Sequence, residues 1–111
     1  MSINSGEDNM EIEDLQSLMK SLFFSRDSTR GLLGTFSWFI EEVGELAHEI
    51  RLHESGNHEN KDRLESEFAD VLAWLCSLAN LADVDLARAA RDKYPGKCSK
   101  CNNGPCTCKK D

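Results

Sequence analysis

From Leu64 to Ala82, the apolar residues Leu64, Phe68, Val71, Leu72, Leu75, Leu78, Ala79 and Ala82 keep spacings of three and four. Held over about five turns, that rhythm gathers them on one face of an α-helix and would scatter them over both faces of a strand. A second stripe, Phe36, Phe39, Ile40, Val43, Leu46, Ala47 and Ile50, sets another long helix from about Leu32 to about Glu54, its apolar face expected to be core. Ile12, Leu15, Leu18, Met19, Leu22 and Phe23 mark a first helix. Between the first two helices, Ser25 to Gly31 reads as a break in which Asp27, Ser28 or Thr29 is suited to cap the second helix. Ser55-Gly56-Asn57-His58 reads as a turn with a glycine C-cap. Asp83 or Asp85 can cap a short fourth helix containing Leu86, Ala89, Ala90 and Tyr94, which Pro95-Gly96 stops. No segment calls for a strand, so the fold class expected is all-α, resembling a four-helix bundle.

At 111 residues the chain has room for one compact domain. The expected division is a mobile N-terminus over 1–10, a helical domain over 11–95 and a cysteine-rich tail over 96–111. A net charge of −7 argues against a nucleic acid polymer, whose binding depends on lysine and arginine displacing counterions. The same acidity is compatible with a triphosphate when divalent cations bridge the two anions. Residues 1–10 lack the basic start and apolar run of a secretory signal, and no apolar stretch of about 18 residues occurs, so a cytoplasmic protein outside the membrane is expected.

In a reducing compartment the cysteines read as a metal site more readily than as disulfides. Cys98, Cys101, Cys106 and Cys108 fall within eleven residues, with Gly104-Pro105 turning the chain between the two pairs. Four thiolates complete a tetrahedral zinc site, and such closed sites are structural. Cys76, alone on an apolar helix, is expected to be buried and inert.

Acids interrupt the two long helices in pairs. Glu42 with Glu45, and Glu67 with Asp70, stand three apart and so share a helical face. Glu45 lies roughly a dozen residues before the centre of the turn and Glu67 roughly ten after it, so in an antiparallel hairpin the pairs come level to within a few ångströms. Four carboxylates brought together repel one another unless a cation neutralises them. Magnesium suits such oxygen ligands where phosphates complete its shell, with manganese as the alternative. Gly44, between the acids, costs its helix roughly 1 kcal/mol against alanine, which suggests a close approach by another helix or a ligand.

Glu41-Glu42-x-x-Glu45 followed by Glu67-x-x-Asp70 resembles the paired acidic motifs of the MazG-like all-α nucleoside triphosphate pyrophosphohydrolases, and the resemblance spans roughly Leu32 to Tyr94. It implies cleavage of a nucleoside triphosphate to the monophosphate and pyrophosphate, with nucleotide-pool house-cleaning as one role for such an activity. It also implies Glu42, Glu45, Glu67 and Asp70 as metal ligands, with Glu41 serving a second metal or the attacking water. Similar proteins assemble as homodimers or homotetramers, and they place a basic residue near the phosphates where Lys93 falls, with Arg88 and Arg91 as weaker candidates. Trp38 and Trp74, one turn from presumed ligands, are candidates to stack on a base, against a competing role in the core. Asn80 is a candidate for a sugar or base contact, against a role as helix cap. His48, His53 and His58 show no ligand spacing and read as surface residues. Two competing functions remain at this level: a zinc-dependent interaction module without catalysis, and a phosphoribosyl-ATP pyrophosphohydrolase.

Overall fold

A computed structural model describes residues 9–56 and 58–109, the side chain of His58 excepted. Among these residues the secondary structure is entirely helical: α1 (Ile12–Arg30), α2 (Leu32–Glu54), a single 3-10 turn (His58–Asn60), α3 (Lys61–Leu81) and α4 (Leu86–Lys93). α2 and α3 form an antiparallel hairpin, α1 lies against α3, and α4 leans on α1. Of the N-terminal segment expected to be mobile, residues 1–8 lie outside the described residues.

The expected break at Ser25–Arg30 is helical, which corrects the first boundary. Two of the residues suited to capping are satisfied inside α1: Thr29 Oγ1 donates to the Ser25 carbonyl (3.0 Å), and the Asp27 carboxylate accepts from Arg30 Nη1 (2.9 Å). Gly31 makes the break instead, at φ +89°, a conformation costly for any residue with a Cβ. Its N–H closes α1 on the Asp27 carbonyl (2.8 Å) and its own carbonyl opens α2 by accepting from the Thr35 N–H (2.9 Å). At the other end of the chain, Asp85 caps α4 by accepting from the Arg88 N–H (3.1 Å).

The α2–α3 turn is clamped by a residue with no apolar signature. Asn60 is fully buried and donates through Nδ2 to the Glu49 carbonyl (3.0 Å) and to Glu49 Oε1 (2.7 Å). Arg63 Nε lies 3.5 Å from the same Glu49 oxygen. A second polar lock joins α1 to the end of α3. Gln16 Nε2 donates to Asn80 Oδ1 (3.1 Å) and to the Val84 carbonyl (2.7 Å), and Asn80 Nδ2 returns a bond to the Gln16 carbonyl (3.1 Å).

Packing departs from the expected core. The buried apolar side chains are Met19, Leu64, Cys76 and Ala79, whereas Phe36, Ile40, Val43 and Ile50 of the α2 stripe are exposed, as are Phe68 and Leu72 on α3. α1 packs on α3 more than on α2, and among the described residues these side chains of the hairpin are left partly uncovered. Gly44 shows the same thing, because a Cβ built there meets nothing within 4 Å. The close approach expected at that glycine is not made within the described chain.

Candidate active site

The hairpin brings together three of the four paired acids. Glu42, Glu67 and Asp70 each offer a carboxylate oxygen, and these atoms lie within 4.8 Å of one another. Glu45 is exposed and outside that group, yet its charge reaches both Glu42 and Glu67. Glu41 is exposed, and its charge reaches Glu42.

Burial and mutual repulsion shape the protonation of this cluster. Glu67 is pushed up to about 7, first by desolvation, then by sharing a hydrogen bond with Glu42, then by the charges of Glu45, Glu42 and Asp70. Glu42 is also raised, mainly by desolvation and by Glu45. The two carboxyls can therefore share one proton, which substitutes for a cation in holding the site together. Glu42 Oε1 and Glu67 Oε1 are both buried and have no hydrogen-bond partner among the described residues. Buried carboxylate oxygens without donors are a costly arrangement, and an all-oxygen cluster with spare lone pairs fits a hard divalent cation.

Beside Asp70 a cavity of about 260 Å³ opens between α1 and α3. Met19, Phe23, Ala73 and Trp74 supply apolar wall, while Asp27 and Ser77 are buried polar residues on its lining. The turn expected over Ser25–Gly31 hides the arrival of α1 at this place. The spacing of three between Asp27 and Arg30, which pairs them on a helix, is the signal that could have found it.

The remaining candidates fall in several places. Trp38 and Trp74 stack on each other, with ring centroids 6.3 Å apart and planes 14° apart. The Arg30 guanidinium lies 5.1 Å from the Trp74 centroid. Asn80 is engaged by Gln16, about 15 Å along α3 from Asp70, and is not brought to the acids. Lys93 is exposed at the end of α4 and forms no ion pair with the acids among the described residues. Of the histidines, His48 is exposed and His53 is half-buried, while the side chain of His58 lies outside the described residues.

In the tail, the Sγ atoms of Cys98, Cys101, Cys106 and Cys108 also lie within 4.8 Å of one another. Backbone amides point at the sulfurs: Lys100 N–H donates to Cys98 (3.4 Å), Thr107 N–H to Cys101 (3.3 Å) and Cys108 N–H to Cys106 (3.2 Å). Amides from Thr107 and Asn103 pull the Cys101 thiol down to about 5, whereas the thiols of Cys106, Cys98 and Cys101 push Cys108 up to about 11. Four sulfurs at one point with amide donors around them form a set that can hold a metal. Cys76 is fully buried, as expected, and burial raises its thiol.

An all-helical hairpin carrying carboxylates from both arms beside a mainly apolar cavity defines a class of helical protein suited to cation-assisted work on a small ligand. Residues 30–102 match the MazG nucleotide pyrophosphohydrolase domain, and the chain belongs to that family. The match takes in the paired acids and runs on through Cys98 and Cys101. Comparison with curated proteins finds no match. No helix among the described residues is long and apolar enough to cross a membrane.

Proposed function

We propose that this protein hydrolyses a nucleoside triphosphate to the monophosphate and pyrophosphate, with magnesium, or manganese in its place, held by Glu42, Glu67 and Asp70. The observation that carries this reading is the convergence of those three carboxylates within 4.8 Å, with donor-free oxygens on Glu42 and Glu67. The chemistry a divalent cation supplies in such a cluster is charge neutralisation of the triphosphate, polarisation of phosphoryl oxygens and activation of water.

The chain's own residues do the rest. Glu42, Glu67 and Asp70 would hold the cation, which would take the place of the proton that Glu42 and Glu67 can share; Asp70 joins the acids to the cavity, and Glu45 adds negative charge from one turn away. Glu41, exposed and next to Glu42, is assigned to a second metal or to orienting the attacking water. Water adds across the anhydride between the α- and β-phosphoryl groups, its oxygen ending on one product and its protons shared between the two. The stacked indoles and the cavity hold the nucleoside end. Lys93 serves as a point charge for the phosphates.

The tail is proposed as a structural zinc site, and the uncovered apolar face of α2 and α3 as the contact of a homodimer or homotetramer. A panel of ribo- and deoxyribonucleoside triphosphates, phosphoribosyl-ATP included, tests the activity with the metal varied. Pyrophosphate release that depends on magnesium and disappears in Glu42→Ala and Asp70→Ala supports the reading. Release from none of them, with the tail still loaded with zinc, favours an interaction module.

A further inference from the structure

Asp27 is 2% exposed, so its carboxylate has almost no contact with bulk water. Oδ1 accepts from Arg30 Nη1 at 2.9 Å, whereas Oδ2 has no hydrogen-bond partner among the described residues. Arg30 is itself held, donating to the buried Thr35 Oγ1 (3.2 Å) and lying over the Trp74 ring. The ion pair therefore fixes which oxygen is engaged and which is left. A buried acceptor without a donor costs free energy, so each such group in a native structure calls for an explanation, and a ligand that supplies the donor is one.

The place of Asp27 says what kind of ligand that is. Asp27 lines the same cavity as Asp70, Trp74 and Ser77. Ser77 follows Asp70 by seven residues, so along α3 the cavity extends about 10 Å from the acid cluster, the reach of a nucleoside attached to phosphates held at the acids. Met19, Phe23, Ala73 and Trp74 give it apolar wall suited to a flat ring, with Arg26 and Arg30 on the lining beside Asp27. A ring entering from the acid end carries its polar edge inward, towards an acceptor that lacks a donor.

We propose that Asp27 is a specificity-determining residue whose Oδ2 accepts from the exocyclic amino group of the base, so that the site takes amino-bearing nucleotides in preference to their carbonyl counterparts. This rests on the nucleotide-hydrolysing reading and adds to it the class of base. Cytosine and uracil differ at one ring position in just this respect, as do adenine and hypoxanthine. A carbonyl oxygen facing Oδ2 sets two acceptors against each other, and a site built around one hydrogen-bonding partner rejects the analogue lacking it.

The test compares kcat/KM for CTP against UTP, and for ATP against ITP, in the wild type and in Asp27→Asn. With Arg30 still engaging the side-chain oxygen, the asparagine presents an amide donor where Oδ2 stood. The wild type is expected to favour CTP and ATP by about tenfold or more, the factor a hydrogen bond to a charged group supports, and the variant to lose or invert both preferences. Each ratio is measured on one preparation, so partial misfolding of the variant cancels. A wild-type ratio near one, or a ratio unchanged by the substitution, overturns the proposal. Quenching of tryptophan fluorescence by CMP and UMP without metal provides a second measurement. If no triphosphate is hydrolysed, the activity reading fails, while the CMP-to-UMP affinity ratio in the two proteins still decides the role of Asp27.

Discussion

Trp38 of α2 and Trp74 of α3 lie almost parallel across the hairpin, 6.3 Å between centroids, one turn from Glu42 and Asp70 respectively. The indoles tie the two arms together immediately beside the carboxylates. Trp74 also carries Arg30 and lines the cavity, so it joins three helices at the site. Trp74→Ala is expected to raise KM about tenfold or more, the scale of the apolar wall it removes from the cavity, and to lower thermal stability through loss of both ring contacts. Trp38→Ala, which leaves the cavity wall in place, is expected to lower stability with a smaller change in KM. Steady-state kinetics and thermal unfolding of the two variants separate these outcomes.

The acid cluster gives the free protein a pH-dependent stability. Unfolded, Glu67 titrates near 4.5, and folded it titrates near 7. Between those values the folded state holds more protons, so stability falls as pH rises and levels off above about 7. Magnesium takes over the proton's role and is expected to flatten the profile. Thermal midpoints across this range, with and without magnesium, check the sign. Glu67→Gln is expected to remove most of the slope, and a midpoint that rises with pH in the metal-free wild type would contradict the linkage.

Removal of a carboxylate from the cluster should be far more damaging than removal of a neighbour. Glu42→Ala and Asp70→Ala are expected to lower kcat/KM by more than about 100-fold, beyond the roughly 10- to 100-fold typical of residues that support a metal ligand from outside. Glu41→Gln, exposed and outside the close group, is expected to lie within that smaller range. Pyrophosphate release under saturating magnesium is the measurement.

The four tail cysteines are expected to bind one zinc per chain. Cys101→Ser should lose the metal and lower the thermal midpoint, with magnesium-dependent hydrolysis retained in the protein that remains folded. Elemental analysis of purified protein decides the stoichiometry.

Much of this molecule is legible from spacing alone. The long helices and the level placement of acids follow from period and turn length, because both are properties of the backbone. The contact between the carboxyls of Glu42 and Glu67 is legible in the same way, whereas the outward position of Glu45 is not: a pairing three apart fixes a face but not an angle to the partner helix. Asp27 resembles a cap because short polar residues favour caps in isolation, whereas in the structure its carboxylate is engaged by Arg30 within α1. Asn60 leaves no trace in the pattern, since a buried polar clamp depends on one partner, Glu49, rather than on a period. The α2 stripe resembles core because hydropathy reports that a face is to be covered and not by which chain.

Gly44 offers a direct probe of that face. With open space around its missing side chain, Gly44→Ala is expected to stabilise the isolated chain by about 0.5–1 kcal/mol through helix propensity. Sedimentation of the same variant shows whether a neighbouring copy requires the gap, in which case assembly weakens while the separate chain gains.

The clamp between Asn60 and Glu49 has a consequence for how this hairpin can vary. Each residue added to a helix swings everything beyond it by about 100°, so one extra residue between the clamp and Glu67 would aim that carboxylate away from Glu42. Lengthening the solvent-facing bend at Ser55-Gly56 leaves the phase of both arms untouched. Insertions are therefore expected to be tolerated at that bend and to part Glu67 from Glu42 when they fall between Asn60 and Glu67.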